Sequence, residues 1–277
     1  QEQEQEQDEI VLSGKLMLDA MGNFSPVMRQ ARNYEKPQGV CMVVGSCARG
    51  DWVDNSFGDL IFSFTPIRGD RQYFWEAFPS QDLYGSKEES RTTYMFTYVD
   101  ADKQRPSFAE MYDDYLELLP KYSGAHGKGG QTPDLSTIKA SRALFGFFPS
   151  YTSSPIPVKF DRIIQVGDSS GLQSPLSFGG FGSLLRHLKR TCDSITDALS
   201  ADITDKETLT LMQPYLPSLS SMWLFQKAMS VEVGKQVWDE NIINKVLMSN
   251  FKTMSKLGDD VMMPFLQDVI QPRGLFA

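Results

Sequence analysis

Residues Phe160–Arg190 read FDRIIQVGDSSGLQSPLSFGGFGSLLRHLKR, and the fold turns on how this stretch is understood. Ile163, Ile164 and Val166 make a short apolar run with the β-branched content of a buried strand. Gly167 and Asp168 end it, and Ser174-Pro175 with Gly179, Gly180 and Gly182 make a tight polar loop. From Gly182 the pattern turns helical, with Leu184, Leu185, Leu188, Cys192, Ile195 and Leu199 recurring at three- and four-residue steps. A strand that delivers a carboxylate and glycines beneath a helix N-terminus suits a ligand rich in hydroxyls and oxygens. The free N–H groups and positive dipole end of the helix await an anion or carbonyl, and glycine permits close approach. An ordinary strand–loop–helix is the alternative reading of the same residues.

The order Gly167, Asp168, Ser169, Ser170, Gly171, Pro175, Gly180, Gly182 resembles the second FAD-contacting motif of the flavoprotein superfamily of aromatic hydroxylases, geranylgeranyl reductases and lycopene cyclases. The resemblance implies that the Asp168 carboxylate bonds the ribityl chain of FAD. It also implies that the backbone around Gly179–Gly182 faces the flavin pyrimidine carbonyl. A looser match lies at Lys15–Arg29, KLMLDAMGNFSPVMR, where Asp19, Gly22, Ser25 and Arg29 fit a strand, a turn, and a Ser and basic residue opening a helix. In that superfamily this segment meets the adenylate half and the pyrophosphate side of FAD. Met21 and Pro26 depart from the pattern, although Pro is tolerated at a first helical position.

The superfamily's opening βαβ unit with G-x-G-x-x-G is not found after any apolar run. The cluster Gly124–Gly130 has no strand before it and no Ser or Thr after Lys128, so it reads as a surface loop. The chain is therefore expected to correspond to the middle and C-terminal portion of such a flavoprotein, with a degenerate relative as the alternative.

Composition narrows the remaining classes. With 27 basic against 35 acidic residues the net charge is −8, which disfavours nucleic acid as a partner. No apolar run reaches the ~18 residues of a membrane span, so membrane contact is expected to be peripheral at most. The three cysteines (Cys41, Cys47, Cys192) and two histidines (His126, His187) form neither a disulfide framework nor a zinc spacing, so no metal site is expected. Gln1–Glu9 alternates Gln and Glu; it is read as disordered and carries no address. A plastid location is implied by the resemblance alone.

Four aromatic and β-branched runs, Gly39–Ser46, Leu60–Pro66, Gln72–Phe78 and Thr92–Val99, predict a largely antiparallel sheet. Ser107–Leu119 predicts a helix capped by Ser107. Beyond the helix from Gly182, with breaks at Pro214 and Pro217, helices are expected over Leu219–Val233, Asn241–Leu257 and Val261–Ile270, with Gly258 as a stop.

The expected fold is thus α/β (α+β): part of a glutathione-reductase-type FAD-binding domain, an inserted antiparallel-sheet substrate domain, and a helical C-terminal region. The boundaries read as a disordered 1–10, FAD-binding portions at 11–38 and 137–205, a sheet domain at 39–136, and a helical region at 206–277.

Phe74-Trp75-Glu76 matches the start of a strand in lycopene cyclases, but Ala77 and Phe78 replace the second acid and the Thr that the resemblance calls for. Glu76 is the candidate catalytic acid, with a strand-edge surface carboxylate as its plainer role. Arg71 or Arg49 could hold an anionic head group, and the Met222–Met229 region could line a hydrocarbon tunnel or simply cap the sheet. The expected activity is an FAD-dependent oxidoreductase of monooxygenase or reductase type. Its substrate would be a hydrophobic small molecule, with isoprenoids as the implied class and NADPH a candidate electron donor. A redox-neutral cyclase and a non-catalytic flavin-fold binding protein stand as alternatives.

Overall fold

A computed structural model describes residues 11–50, 53–56, 58–80, 89–126, 134–214, 216, 218–267 and 269. The expectations for Gln1–Glu9, for the glycine cluster beyond His126, for Pro217 and for Ile270 lie outside these residues. The strands are β1 (Met17–Asp19), β2 (Gly39–Arg49), β3 (Asp59–Phe62), β4 (Phe74–Ser80), β5 (Ser90–Val99), β6 (Lys139–Ser150) and β7 (Ile163–Gln165). The helices are α1 (Pro26–Ala31), α2 (Phe108–His126), α3 (Gly180–Ala201), α4 (Lys206–Met212), α5 (Ser218–Ala228), α6 (Ile242–Leu257) and α7 (Asp259–Leu266). The fold is mixed α/β with one parallel and one antiparallel sheet, and none of the described helices is long and apolar enough to cross a membrane.

Two compact units account for the chain. The first comprises Gln1–Glu35, Ser154–Gln173 and Gly179–Leu216; the second comprises Lys36–Ser153, Ser174–Phe178 and Pro217–Ala277. In the first, β1 and β7 pair in parallel, with Met17 opposite Ile163 and Asp19 opposite Gln165. Ile164, Val158, Ala198, Leu209 and Met212 form its main core.

Helix α3 does not bury the stripe expected of it: Leu185, Leu188 and Cys192 are exposed, while Ala198 is buried and Leu184 and His187 are half-buried. The physical reason is size. A 22-residue helix runs ~33 Å, whereas strands of three residues span ~10 Å and can cover little of it. Met17 and Leu18 of β1 are likewise exposed, at 42% and 53%.

In the second unit five antiparallel strands lie in the order β3-β4-β5-β2-β6. Successive residues face opposite sides, as the period of a strand requires. Tyr73, Trp75, Ala77, Met42, Val44 and Met95 pack with Met111, Tyr115, Leu119 and Tyr122 of α2. Phe74, Cys41, Phe96 and Tyr98 face the other way, toward Met222, Met229 and Ile243 of the C-terminal helices. Trp75 lies flat on Tyr122, with ring centroids 4.5 Å apart and planes 7° apart. Ser107 caps α2 as expected, and the structure adds a reciprocal bond: its Oγ accepts from Glu110 N–H at 3.2 Å, and Ser107 N–H donates to Glu110 Oε2 at 2.7 Å. The helix continues past Leu119, through Pro120, to His126. Strand β6, within the stretch 137–205 read from sequence as flavin-binding, pairs along β2 from Gly39↔Ser150 to Arg49↔Lys139.

Candidate functional site

The first unit gathers most of the expected flavin-contacting positions, in two structurally different ways. Asp19 is 1% exposed, and its carboxylate is used internally: it accepts from Ser25 Oγ at 2.6 Å and from Met21 N–H at 3.1 Å. Ser25 is itself buried and caps α1, its Oγ accepting from Met28 N–H at 3.0 Å. The Asp19 carbonyl in turn accepts from Val166 N–H at 2.9 Å and from Ser169 Oγ at 2.6 Å. These bonds clamp the end of β1 to the turn after β7, so Asp19, Ser25 and Ser169 position the turn. Gly22 adopts φ +67° and stands open to solvent. Arg29 projects exposed from the last turn of α1 and does not join the Asp19–Ser25 cluster.

Asp168 sits differently. It lies in the 3-10 turn Gly167–Ser170, half-buried, and among the described residues its carboxylate makes no hydrogen bond or ion pair. Burial raises its pKa. The first residue of α3 lies directly against it: a Cβ on Gly180 would stand 2.7 Å from Asp168 Oδ1 and 3.2 Å from Gln173 Cβ. No side chain caps this helix at Gly179, and Gly182 faces open space. An acceptor in need of donors therefore lies beside the uncapped N-terminus of a long helix, where N–H groups lack intrahelical partners. Pro175, the remaining motif position, is buried in Ser174–Phe178, which belongs to the second unit.

Sequence reasoning passed over three residues around this turn. Gln173 is 8% exposed and donates to Asn23 Oδ1 at 2.9 Å, while among the described residues its own buried Oε1 finds no hydrogen bond, and neither does Ser183 Oγ on the first turn of α3. Unpartnered polar atoms inside a protein are costly and usually have a purpose. Arg32 is 8% exposed and lies against Gly171, donating to Ser154 Oγ at 3.3 Å. The signal for Arg32 was available: Met28, Ala31 and Arg32 are spaced i, i+3, i+4, which puts Arg32 rather than Arg29 on the buried face. No sequence signal marked Gln173. His187 lines a small cavity with Ile164, Ser170 and Met212, and burial with the neighbouring Arg186 and Arg190 lowers its pKa.

The second unit contains an apolar cleft. A cavity of about 60 Å³ is lined by Phe96, Phe178, Phe225, Met229, Leu247 and Phe265, among others, with Glu76 on its wall. Glu76 lies on β4 opposite Tyr94, on the sheet face away from α2. Burial raises its pKa from 4.5 to about 7. Arg49 and Arg71 are not among the lining residues, and Arg71 is paired with Asp70 at 3.0 Å. Of the Met222–Met229 region, Phe225, Ala228 and Met229 line the cleft, Met222 is fully buried in the core, and Leu224 is exposed. Tyr98, fully buried, donates to the Leu176 carbonyl at 2.5 Å and fixes the segment whose Leu176, Ser177 and Phe178 form one wall.

No protein-family model matches this sequence, and no curated protein does. Solved structures do. Halogenase PltM, in its complex with ethyl mercury and mercury, superposes with a TM-score of 0.53 at 16% identity, over 92% of this chain and 50% of that one. The probable FAD-dependent monooxygenase pqsL from Pseudomonas aeruginosa gives 0.49 at 15%, over 78% and 55%. A geranylgeranyl bacteriochlorophyll reductase-like protein from Thermoplasma acidophilum gives 0.49 at 12%, over 70% and 44%. At these identities the likeness is one of fold, and the halogenase comparison carries it. The chain spans about half the length of the solved structures it matches.

Proposed function

We propose that this chain is the second FAD-contacting half of an FAD-dependent oxidoreductase of monooxygenase or reductase type, with an apolar substrate. The carrying observation is the half-buried Asp168 carboxylate, without a hydrogen bond or ion pair among the described residues and packed on Gly180 at the start of α3, where no side chain caps the helix. Its chemistry fits the cofactor. Asp168 would accept from ribityl hydroxyls, the first-turn N–H groups of α3 would donate to a flavin carbonyl, and Gln173 and Ser183 would complete the polar lining. FAD, when bound, supplies the redox chemistry, and the protein supplies orientation and electrostatics. Asp19, Ser25 and Ser169 hold the Asp168 turn in place, and Gly22 and Arg29 are the candidates for the adenylate side.

The exposed apolar residues of β1 and α3 and the two-stranded parallel sheet support a further reading. Parallel sheets are covered on both faces, and a pair of strands is marginal by itself. We therefore place a phosphate-cradling βαβ segment against this unit in the working protein, with NADPH as candidate electron donor. Among the described residues the substrate cleft is lined by a single carboxylate, Glu76, while Ala77 packs in the opposite core. That favours an oxidoreductase over a cyclase needing two acids. Isoprenoids are the substrate class which the resemblance suggests.

The test is intact mass with a visible spectrum on the protein from its native source. Flavin absorbance bands, lost in Asp168→Ala with the fold retained, are the expected outcome. A colourless protein at the 31.2 kDa of this chain would overturn the reading.

A further inference from the structure

Glu76 stands in surroundings that no folding requirement explains. Its carboxylate lies in a cleft whose other polar lining is Ser177 and Asn250, and among the described residues it has neither hydrogen bond nor ion pair. The titratable groups that feel it are Cys41 on β2 and Tyr94 on β5, both of whose pKa values it helps to raise; Arg142 acts on Tyr94. Among the described residues no Lys, Arg or His lines the cleft. Desolvating a lone carboxyl destabilises the fold, and an apolar residue at this position would pack at no such cost.

We infer that the cleft binds a small apolar molecule through a basic nitrogen, with the Glu76 carboxylate as its counter-ion and the surrounding phenylalanines enclosing the apolar part. Charge decides among the possible head groups. An anion would be repelled by Glu76, and an alcohol would gain one hydrogen bond. An ammonium gains a charge-assisted bond in a region poor in water, where such bonds are strongest. Five phenylalanines, Phe96, Phe178, Phe225, Phe251 and Phe265, line the same space, and aromatic faces attract cations. The volume of about 60 Å³, several times the 10–15 Å³ that one water requires, sets the scale at one ring or a short chain. The inference concerns binding, and rests on the oxidoreductase reading only for what later becomes of the ligand.

Three molecules of one shape test it on the full chain by calorimetric titration: benzylamine, benzyl alcohol and benzoate. Benzylamine is expected to bind at least about tenfold more tightly than the alcohol, with benzoate undetectable. Because Glu76 titrates near 7, an ammonium ligand displaces its proton. Titration in buffers of different ionisation heat should show about half a proton released per ligand at pH 7, approaching none by pH 8, below the range in which the amine loses its own proton. Glu76→Gln should bring benzylamine down to the level of the alcohol and abolish proton release, while alcohol binding persists and reports an intact cleft. Equal binding of amine and alcohol by the unaltered chain, or an amine preference that survives Glu76→Gln, overturns the inference. Flavin binding is read separately: Asp168→Ala should leave the amine preference unchanged. Loss of flavin with the preference kept, or the reverse, therefore tells failure of one reading from failure of the other.

Discussion

Two carboxyls, Asp168 and Glu76, carry both functional arguments, and both have pKa values raised by burial. For an acid whose pKa is higher in the folded state, the stability it allows is full below the unfolded value and is lost as pH rises through the folded one. For Glu76 the window runs from about 4.5 to just above 7. Stability of the unaltered protein should therefore decline across this range relative to Glu76→Gln, by on the order of 3 kcal/mol at most. Urea unfolding of both proteins at pH 5 and pH 8 measures it, and parallel pH profiles would show that Glu76 is solvated. Asp168→Asn should act in the same direction with a smaller effect, because the group is only half-buried. Glu76 was legible as a candidate from its place in an aromatic strand. Its solitude was not, because solitude depends on what Leu176, Phe225 and Phe251, distant in sequence, bring to the cleft.

At the scale of elements, the start of α3 separates structural glycine from functional glycine. A Cβ on Gly180 would require Asp168 Oδ1 and Gln173 Cβ to shift, whereas Gly182 lies in a helical turn with nothing within 4 Å. Gly180→Ala should cost stability, the clash outweighing the gain in helix propensity. Gly182→Ala should raise stability by about 0.5–1 kcal/mol, as glycine replaced in an exposed helix does. If Gly182 serves flavin approach, Gly182→Ala in the intact flavoprotein should nevertheless weaken flavin retention. Thermal unfolding and flavin release, measured on the same variant, should thus move in opposite directions. Unchanged flavin retention would place the cofactor away from this turn. The glycines were visible in sequence as a motif, but which of them the fold itself requires is set by Asp168 and Gln173 across the turn. The sheet was legible for a similar reason: alternation in β2, β4 and β5 is local, and each strand appears where its aromatic run predicts. Strand β6, whose alternate side chains are largely half-buried or exposed, gave no such pattern and is recognised only by its pairing with β2.

The whole chain is divided in a way that local pattern could not reveal. It passes between the two units at 35/36, 153/154, 173/174, 178/179 and 216/217, so neither unit is a continuous stretch. The first depends on its N-terminal piece for β1, the partner of β7, and for the Asp19 carbonyl that accepts from Val166 N–H and Ser169 Oγ. A chain beginning at Lys36 would remove all three supports of the turn bearing Asp168. The second unit keeps its five strands, its α2 core and its C-terminal helices, because these lie within Lys36–Ser153, Ser174–Phe178 and Pro217–Ala277. It also keeps Arg105, whose nearly buried guanidinium binds Asp100 and Asp70 and donates to the Val231 carbonyl. Amide hydrogen exchange on the shortened chain should show protection lost across residues 163–173 and 179–201 and retained in β2 and β5. The near-ultraviolet signal of the Trp75–Tyr122 stack should persist. Protection lost in both units at once would mean that the chain folds as a single cooperative body, and that the unit bearing Asp168 and the unit bearing the five-stranded sheet cannot be separated.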